Sequence, residues 1–194
     1  YTSAGKSTLL NALGGADVLT DARLFATLDP TTRRVLLPDG WGVLMTDTVG
    51  FIRNLPHTLI AAFRATLEEV KEADILIHVV DSSHPHMNQQ MQAVRETLEE
   101  IGAQDRPVVT VYNKSDICQD TYKLRQAVAE DPLACYISAL KGDGLEHLVI
   151  KINCALRSLL VRVEGVVPYS RSALVASCHD FGHVLLEDYQ EDGI

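Results

Sequence analysis

Near the start of the chain, Gly5-Lys6-Ser7-Thr8 follows Tyr1-Thr2-Ser3-Ala4 and leads into an apolar stretch. The chemistry this order permits is phosphate binding. Backbone N–H groups turn inward at a helix N-terminus, a Lys ammonium reaches the β- and γ-phosphates, and a hydroxyl meets Mg2+. Ser3 to Ser7 supplies the second half of G-x-x-x-x-G-K-[ST], whose first Gly would sit one residue before Tyr1. Taken alone, Gly-Lys-Ser is a frequent chance match. Asp47-Thr48-Val49-Gly50 offers a carboxylate for a metal-bound water and a Gly N–H for a γ-phosphate, although D-x-x-G also ends many strands. Asn113-Lys114-Ser115-Asp116 could select a base. A carboxylate at Asp116 can accept from guanine N1–H and from its exocyclic amine, and adenine has neither donor. Asn113 and Lys114 would then support the loop and cover the base, and Ser138-Ala139 would place backbone N–H groups near guanine O6.

These residues need a scaffold that brings strand ends together. Short β-branched runs alternate with longer helical segments, the sequence form of an α/β fold with a mainly parallel sheet. The spacing predicts a helix from Gly5 to Leu13, then a loop from Gly14 to Arg34. Val35–Leu37 and Trp41–Met45 form a hairpin around an Asp-Gly turn. Helices are expected at Leu59–Val70, Met87–Ile101, Lys123–Ala129 and Leu145–Leu160, and strands at Ile75–Val80, Pro107–Tyr112 and Cys135–Ile137. Each motif falls at the C-terminal end of a strand or in the following loop, where an open α/β sheet binds ligands. The expected strand before the phosphate loop lies ahead of Tyr1, so the chain reads as a fragment, and residues 1–194 alone are expected to be poorly soluble or partly molten. Beyond Leu160, alternation at Val161–Val167 and Val184–Tyr189 predicts a small partial α/β unit, which divides the chain into residues 1–160 and 161–194.

The chain has 194 residues, 46% of them hydrophobic and 22% charged, with a net charge of −9, and its mean hydropathy is +0.05. Collagen-like, disordered and coiled-coil classes are excluded. No apolar run reaches the roughly 18 residues of a membrane span, because Asp81 interrupts the run that starts at Ile75. Residues 1–66 carry six basic against five acidic side chains, and the remainder carries 11 against 21. One face is therefore far less acidic than the rest. Cys118, Cys135, Cys154 and Cys178 lack metal-ligand spacing and read as reduced thiols of a cytoplasmic protein. His84-Pro85-His86 reads as a polar turn, and Trp41 as a sheet-packing residue.

Three longer stretches are similar to the HflX family of translation-associated GTPases: Phe25-Ala26-Thr27-Leu28-Asp29-Pro30-Thr31-Thr32-Arg33, then Asp47 to His57 (DTVGFIRNLPH), then Ala62 to Glu69 (AFRATLEE). Val167-Pro168-Tyr169 and Gly182 to Tyr189 resemble that family's C-terminal domain. The resemblance implies a Ras-like P-loop GTPase fold that hydrolyses GTP to GDP and phosphate with Mg2+, as a switch on the large ribosomal subunit. It implies that Tyr1, Thr2, Ser3, Ala4, Gly5, Lys6, Ser7 and Thr8, with Phe25, Ala26, Thr27, Leu28 and Asp29, lie along the nucleotide. Asp47, Thr48, Val49 and Gly50, and then Asn113, Lys114, Asp116, Ser138 and Ala139, complete that set. Ser7 and Thr27 would ligate Mg2+, Asp47 would act on it through water, and Lys6, Thr27 and Gly50 would serve the chemistry. Ser3 stands where the family commonly has Asn. Phe51 occupies the position at which Ras-like GTPases carry a water-orienting Gln, so intrinsic hydrolysis is expected to be slow. Arg33, Arg34 and Arg53 beside the switches are compatible with RNA contact. The same motifs would also suit a GTPase of RNA modification or ribosome assembly, or a GTP-binding module that does not hydrolyse.

Overall fold

The computed structural model describes residues 3–14, 31–37, 40–48, 68–182 and 184–194. The chain divides into two compact units, Tyr1–Leu159 and Leu160–Ile194. In the first, α1 (Lys6–Gly14) starts directly after Gly5 and buries Leu9 and Leu10. An antiparallel hairpin follows, β1 (Thr31–Leu36) and β2 (Gly42–Asp47), in register from Thr31 opposite Asp47 to Leu36 opposite Gly42. Residues 68–72 are helical. The remainder of the helix expected at Leu59–Val70 lies outside the described residues, as do residues 15–30 of the expected loop.

The central layer is a parallel sheet in the order β3-β4-β5, formed by β3 (Leu76–Asp81), β4 (Val108–Asn113) and β5 (Cys135–Tyr136). The crossovers run through α2 (Met87–Glu100) and α3 (Thr121–Glu130), and α4 (Leu145–Ser158) follows β5. Side-chain alternation sends Val79, Val109 and Val111 to one face, where they pack with Leu9 of α1 and with Leu148, Ile152 and Ala155 of α4. On the other face, one cluster joins Leu76 to Val94 and Leu98, and another joins Val80 and Tyr112 to Leu124. Helices thus cover both faces, which is why β4 reads as a nearly continuous apolar run. Val109, Val111, Ile137, Leu148 and Ile152 are all 0% exposed, and each such side chain stabilises the fold by about 1.5–3 kcal/mol.

Local chemistry sets the boundaries. Gly102, at φ +72°, ends α2 in the left-handed conformation, with its N–H on Glu99 O and the Ala103 N–H on Leu98 O. Asp120 caps α3 by accepting from Lys123 N–H at 3.1 Å. Gly144 opens α4 at φ +76°, where any Cβ would lie 2.6 Å from Tyr136 O. Trp41 packs against the main core, as expected of a sheet-packing residue.

Two expectations are corrected. Residues 31–34 were expected in a loop but form the first four of the six residues of β1. Their polar types hide the strand, which is held by cross-strand pairing such as Thr32 Oγ1 to Thr46 Oγ1 at 2.8 Å. The alternating segments 161–167 and 184–189 form no strand among the described residues. An alternating segment becomes a strand only when a partner takes up its backbone groups, and in this unit the pairing is confined to Val167 with Ile194 and a Gln190–Gly193 bridge. The second unit otherwise contains a 3-10 turn at Tyr169–Arg171 and α5 (Ala173–Phe181). Among the described residues no helix is long and apolar enough to cross a membrane.

Candidate nucleotide site

All the described motif residues gather where the strands end. Ser3 takes φ +63° and Gly5 φ +92°, so the backbone turns sharply before α1 and presents the helix N-terminus. Ala4 is 1% exposed. Gly5 is required twice over, because its φ disfavours a side chain and a Cβ there would collide with Asn113 Nδ2. Lys6 follows in the first turn of the helix. Burial lowers its ammonium from the ordinary Lys range, and the Asp47 carboxylate opposes that shift. A phosphate placed at this turn would meet both the helix N-terminus and the Lys6 ammonium.

Ser7 Oγ donates to Asp47 Oδ2 at 2.5 Å. The first turn of α1 and the end of β2, 40 residues apart, therefore place a hydroxyl and a carboxylate side by side. That pair of hard oxygens is of the kind that would hold a small divalent cation such as Mg2+. Among the described residues no group of three His, Cys, Asp or Glu could hold a metal on its own.

Asn113 joins three loops. Its Nδ2 donates to Ala4 O at 2.8 Å, and its Oδ1 accepts from Ala139 N–H at 2.9 Å. The residue is 3% exposed, so both halves of the carboxamide are satisfied inside the protein. The loop it opens is further tied by Ser115 N–H to Ile137 O at 3.0 Å. Asp116 stays ionised below the ordinary carboxylate range, chiefly through the Ser138 hydroxyl, with Lys141 Nζ at 3.6 Å. An ionised, acceptor-only carboxylate is the group that would read two adjacent N–H donors.

The structure thus brings together Ser3, Ala4, Gly5, Lys6, Ser7, Asp47, Asn113, Lys114, Asp116, Ser138 and Ala139, with Thr8 in α1 and Thr48 directly after β2. Tyr1, Thr2, Phe25, Ala26, Thr27, Leu28, Asp29, Val49 and Gly50, together with Phe51 and Arg53, lie outside the described residues. Arg33 and Arg34 point to opposite sides of β1. Arg33 is half-buried with its stem beside Gly14, whereas Arg34 is exposed and lies over Gly42. His84 and His86 stay a local turn, with His86 N–H donating to His84 Nδ1 at 3.1 Å. Sequence reasoning missed Asp81, Ser82, Ser83 and Lys141. The available signal was a carboxylate and two hydroxyls at the end of β3, level with the end of β4.

A family model described as "50S ribosome-binding GTPase" matches residues 1–114, more than half of the chain. The chain belongs to that family. It is also similar along its whole length to proteins named GTPase HflX, 48% identical to that of Lacrimispora saccharolytica and 37% to that of Escherichia coli. The HflX resemblance read from the Thr27, DTVG and AFRATLEE stretches is thereby borne out. The chain spans 45% and 46% of those two relatives, less than half of each. Among solved structures, a GTP-binding protein from Sulfolobus solfataricus in complex with GDP aligns at a TM-score of 0.68 and 33% identity. The match covers 82% of this chain and 51% of that one. Era, crystallised with MgGDPNP and part of 16S ribosomal RNA, aligns at a TM-score of 0.66 and 23% identity over 86% of this chain and 56% of that one, a likeness of fold. The expected P-loop GTPase fold with its parallel sheet stands on these findings.

Proposed function

We propose that this chain carries the guanine-nucleotide site of a cytoplasmic GTPase that converts GTP to GDP and phosphate and switches on the large ribosomal subunit. The observation that carries the reading is Asn113, whose single carboxamide fastens the phosphate loop at Ala4 to the base-reading loops at 113–116 and 138–139. Two phosphates and a purine separated by a ribose need those loops at a fixed spacing. Mg2+, when bound, would neutralise charge on the β- and γ-phosphates, with Ser7 and Asp47 as its protein partners and Thr27 as the further ligand that the resemblance implies.

The chain's own residues act by position and charge. The α1 N-terminus and Lys6 hold the phosphate oxygens, and the ammonium stabilises charge that builds on the leaving phosphate. Gly50 would sense the γ-phosphate. Phe51 can neither donate nor accept a hydrogen bond to an attacking water, so an outside surface must complete the site. The name of the matching family, the HflX relatives and the less acidic first third of the chain support the ribosome as that surface.

Asp116→Asn tests the nucleotide part in the full-length protein. The variant should lose GDP affinity and gain affinity for xanthosine diphosphate, which presents a carbonyl where guanine has its amine. A shift of at least roughly 100-fold in the ratio is expected from one exchanged buried hydrogen-bond pair. An unchanged ratio in competition against a fluorescent nucleotide removes the assignment of residues 113–116. Purified large subunits should raise GTP turnover by roughly tenfold or more, and an unchanged rate removes the ribosomal part alone.

A further inference from the structure

The end of β3 carries a cluster that the reading so far does not use. Asp81 lies level with Asn113 in the parallel register, and its Oδ2 receives the Lys114 ammonium at 2.5 Å. The two side chains are only 16% and 33% exposed, so this ion pair is partly withdrawn from water. Asp81 is itself fixed, since its Oδ1 accepts from Ser83 N–H at 3.0 Å and from Ser83 Oγ at 2.6 Å. Burial alone would raise the Asp81 carboxyl, but the hydrogen bonds from Lys114 and Ser83 outweigh it and hold the group below the ordinary carboxylate range.

The backbone beside it is equally constrained. The Asn113 carbonyl accepts from both Ser82 N–H at 2.9 Å and Ser82 Oγ at 2.7 Å. That fixes the peptide leading into Lys114, which takes φ +63°, a left-handed conformation that a Lys adopts only where its surroundings impose it. The loop therefore contains two carboxylates and two ammonium groups sorted into separate pairs, Lys114 with Asp81 and Lys141 with Asp116. If Asp81 did not hold it, the Lys114 head group would lose the one carboxylate to which it is bonded among the described residues.

We propose that Asp81 is a positioning residue for the guanine nucleotide: it anchors Lys114 so that the lysine stem faces the purine. This rests on the reading that residues 113–116 hold guanine. The test uses the full-length protein, with GDP affinity measured by competition against a fluorescent GDP analogue. Asp81→Asn, which keeps the shape and removes the charge, should weaken GDP about tenfold, and Asp81→Glu should recover part of the loss. Because Asp81 acts through Lys114, adding Asp81→Asn to Lys114→Met should cost less than twofold more. A merely structural Asp81 would lower affinity equally in both backgrounds, and that result overturns the proposal. So does an Asp81→Asn variant that binds GDP within twofold of the parent. Should Asp81→Asn fail to fold, Ser83→Ala removes one of the bonds that orient Asp81. It is expected to weaken GDP two- to threefold, and again only when Lys114 is present, with an unchanged affinity overturning the proposal. Asp116→Asn run in parallel separates the two levels. If it fails to shift preference toward xanthosine diphosphate, the guanine reading falls. If it shifts preference while Asp81 and Ser83 prove indifferent, only the role of Asp81 falls.

Discussion

Around the expected base site, residues 81–83, 113–116 and 138–141 hold one another through buried and half-buried polar bonds above the parallel sheet, whose Val79, Val109 and Val111 are buried in the main core. Residues 160–194 follow a similar alternation of apolar and polar types, yet Val161, Val163 and Leu186 are each more than 80% exposed. The difference lies in partners rather than in residue types. Each strand of the first unit has a neighbour for its backbone and a helix for its face. Among its described residues the second unit has one helix of nine residues and two pairs of reciprocal backbone bonds, Val167 with Ile194 and Gln190 with Gly193.

The sharpest way to break this comparison is to remove bulk from each side. Ile152 is 0% exposed in the cluster shared by α4 and the parallel sheet. Ile152→Ala in the full-length protein should cost about 2–5 kcal/mol, read as a lower denaturant midpoint with little change in slope. A loss below about 1 kcal/mol would mean that the packing is looser than drawn.

A second measurement sharpens the contrast by asking what the first unit does with a titratable group. His78 sits on β3 between the two clusters facing α2 and α3, opposite Thr110 in register. Burial first, and then the charges of the N-terminal ammonium and of Arg95, lower its imidazole to about 4. The folded protein therefore keeps His78 neutral while the unfolded chain takes up a proton near 6.5, so stability should fall as pH drops from about 6.5 to about 4 and then level off for this group. The size is roughly 3 kcal/mol. His78→Gln should flatten that limb of a stability-against-pH curve, and an unchanged limb would place the proton elsewhere. The smallest effect is expected in the second unit. Leu186→Ala should change the midpoint by less than about 0.5 kcal/mol, since the side chain is already 84% exposed.

Much of the first unit was legible because its signals are local. The apolar runs of β3 and β4, the Met87, Met91, Val94 and Leu98 spacing of α2, and the Gly5-Lys6-Ser7, Asn113 to Asp116 and Ser138-Ala139 motifs each announce themselves within a few residues. What could not be read depends on pairs distant in sequence. Thr31 to Arg34 is a strand because Leu44 to Asp47 lies beside it. Asp81 looked like the end of an apolar run because its partner stands 33 positions later. The strands expected at 161–167 and 184–189 failed in the opposite direction, since alternation was present but, among the described residues, only Val167 found a backbone partner, in Ile194.

The Asn113 carboxamide also bears on how a nucleotide would leave. An amide in that place cannot let go of Ala4 or of Ala139 without stranding a buried donor or acceptor, at a cost of about 1–3 kcal/mol. On the proposed reading, opening at the phosphate end would strand Asn113 Nδ2 and opening at the base end its Oδ1, so both ends of the site load the same buried side chain.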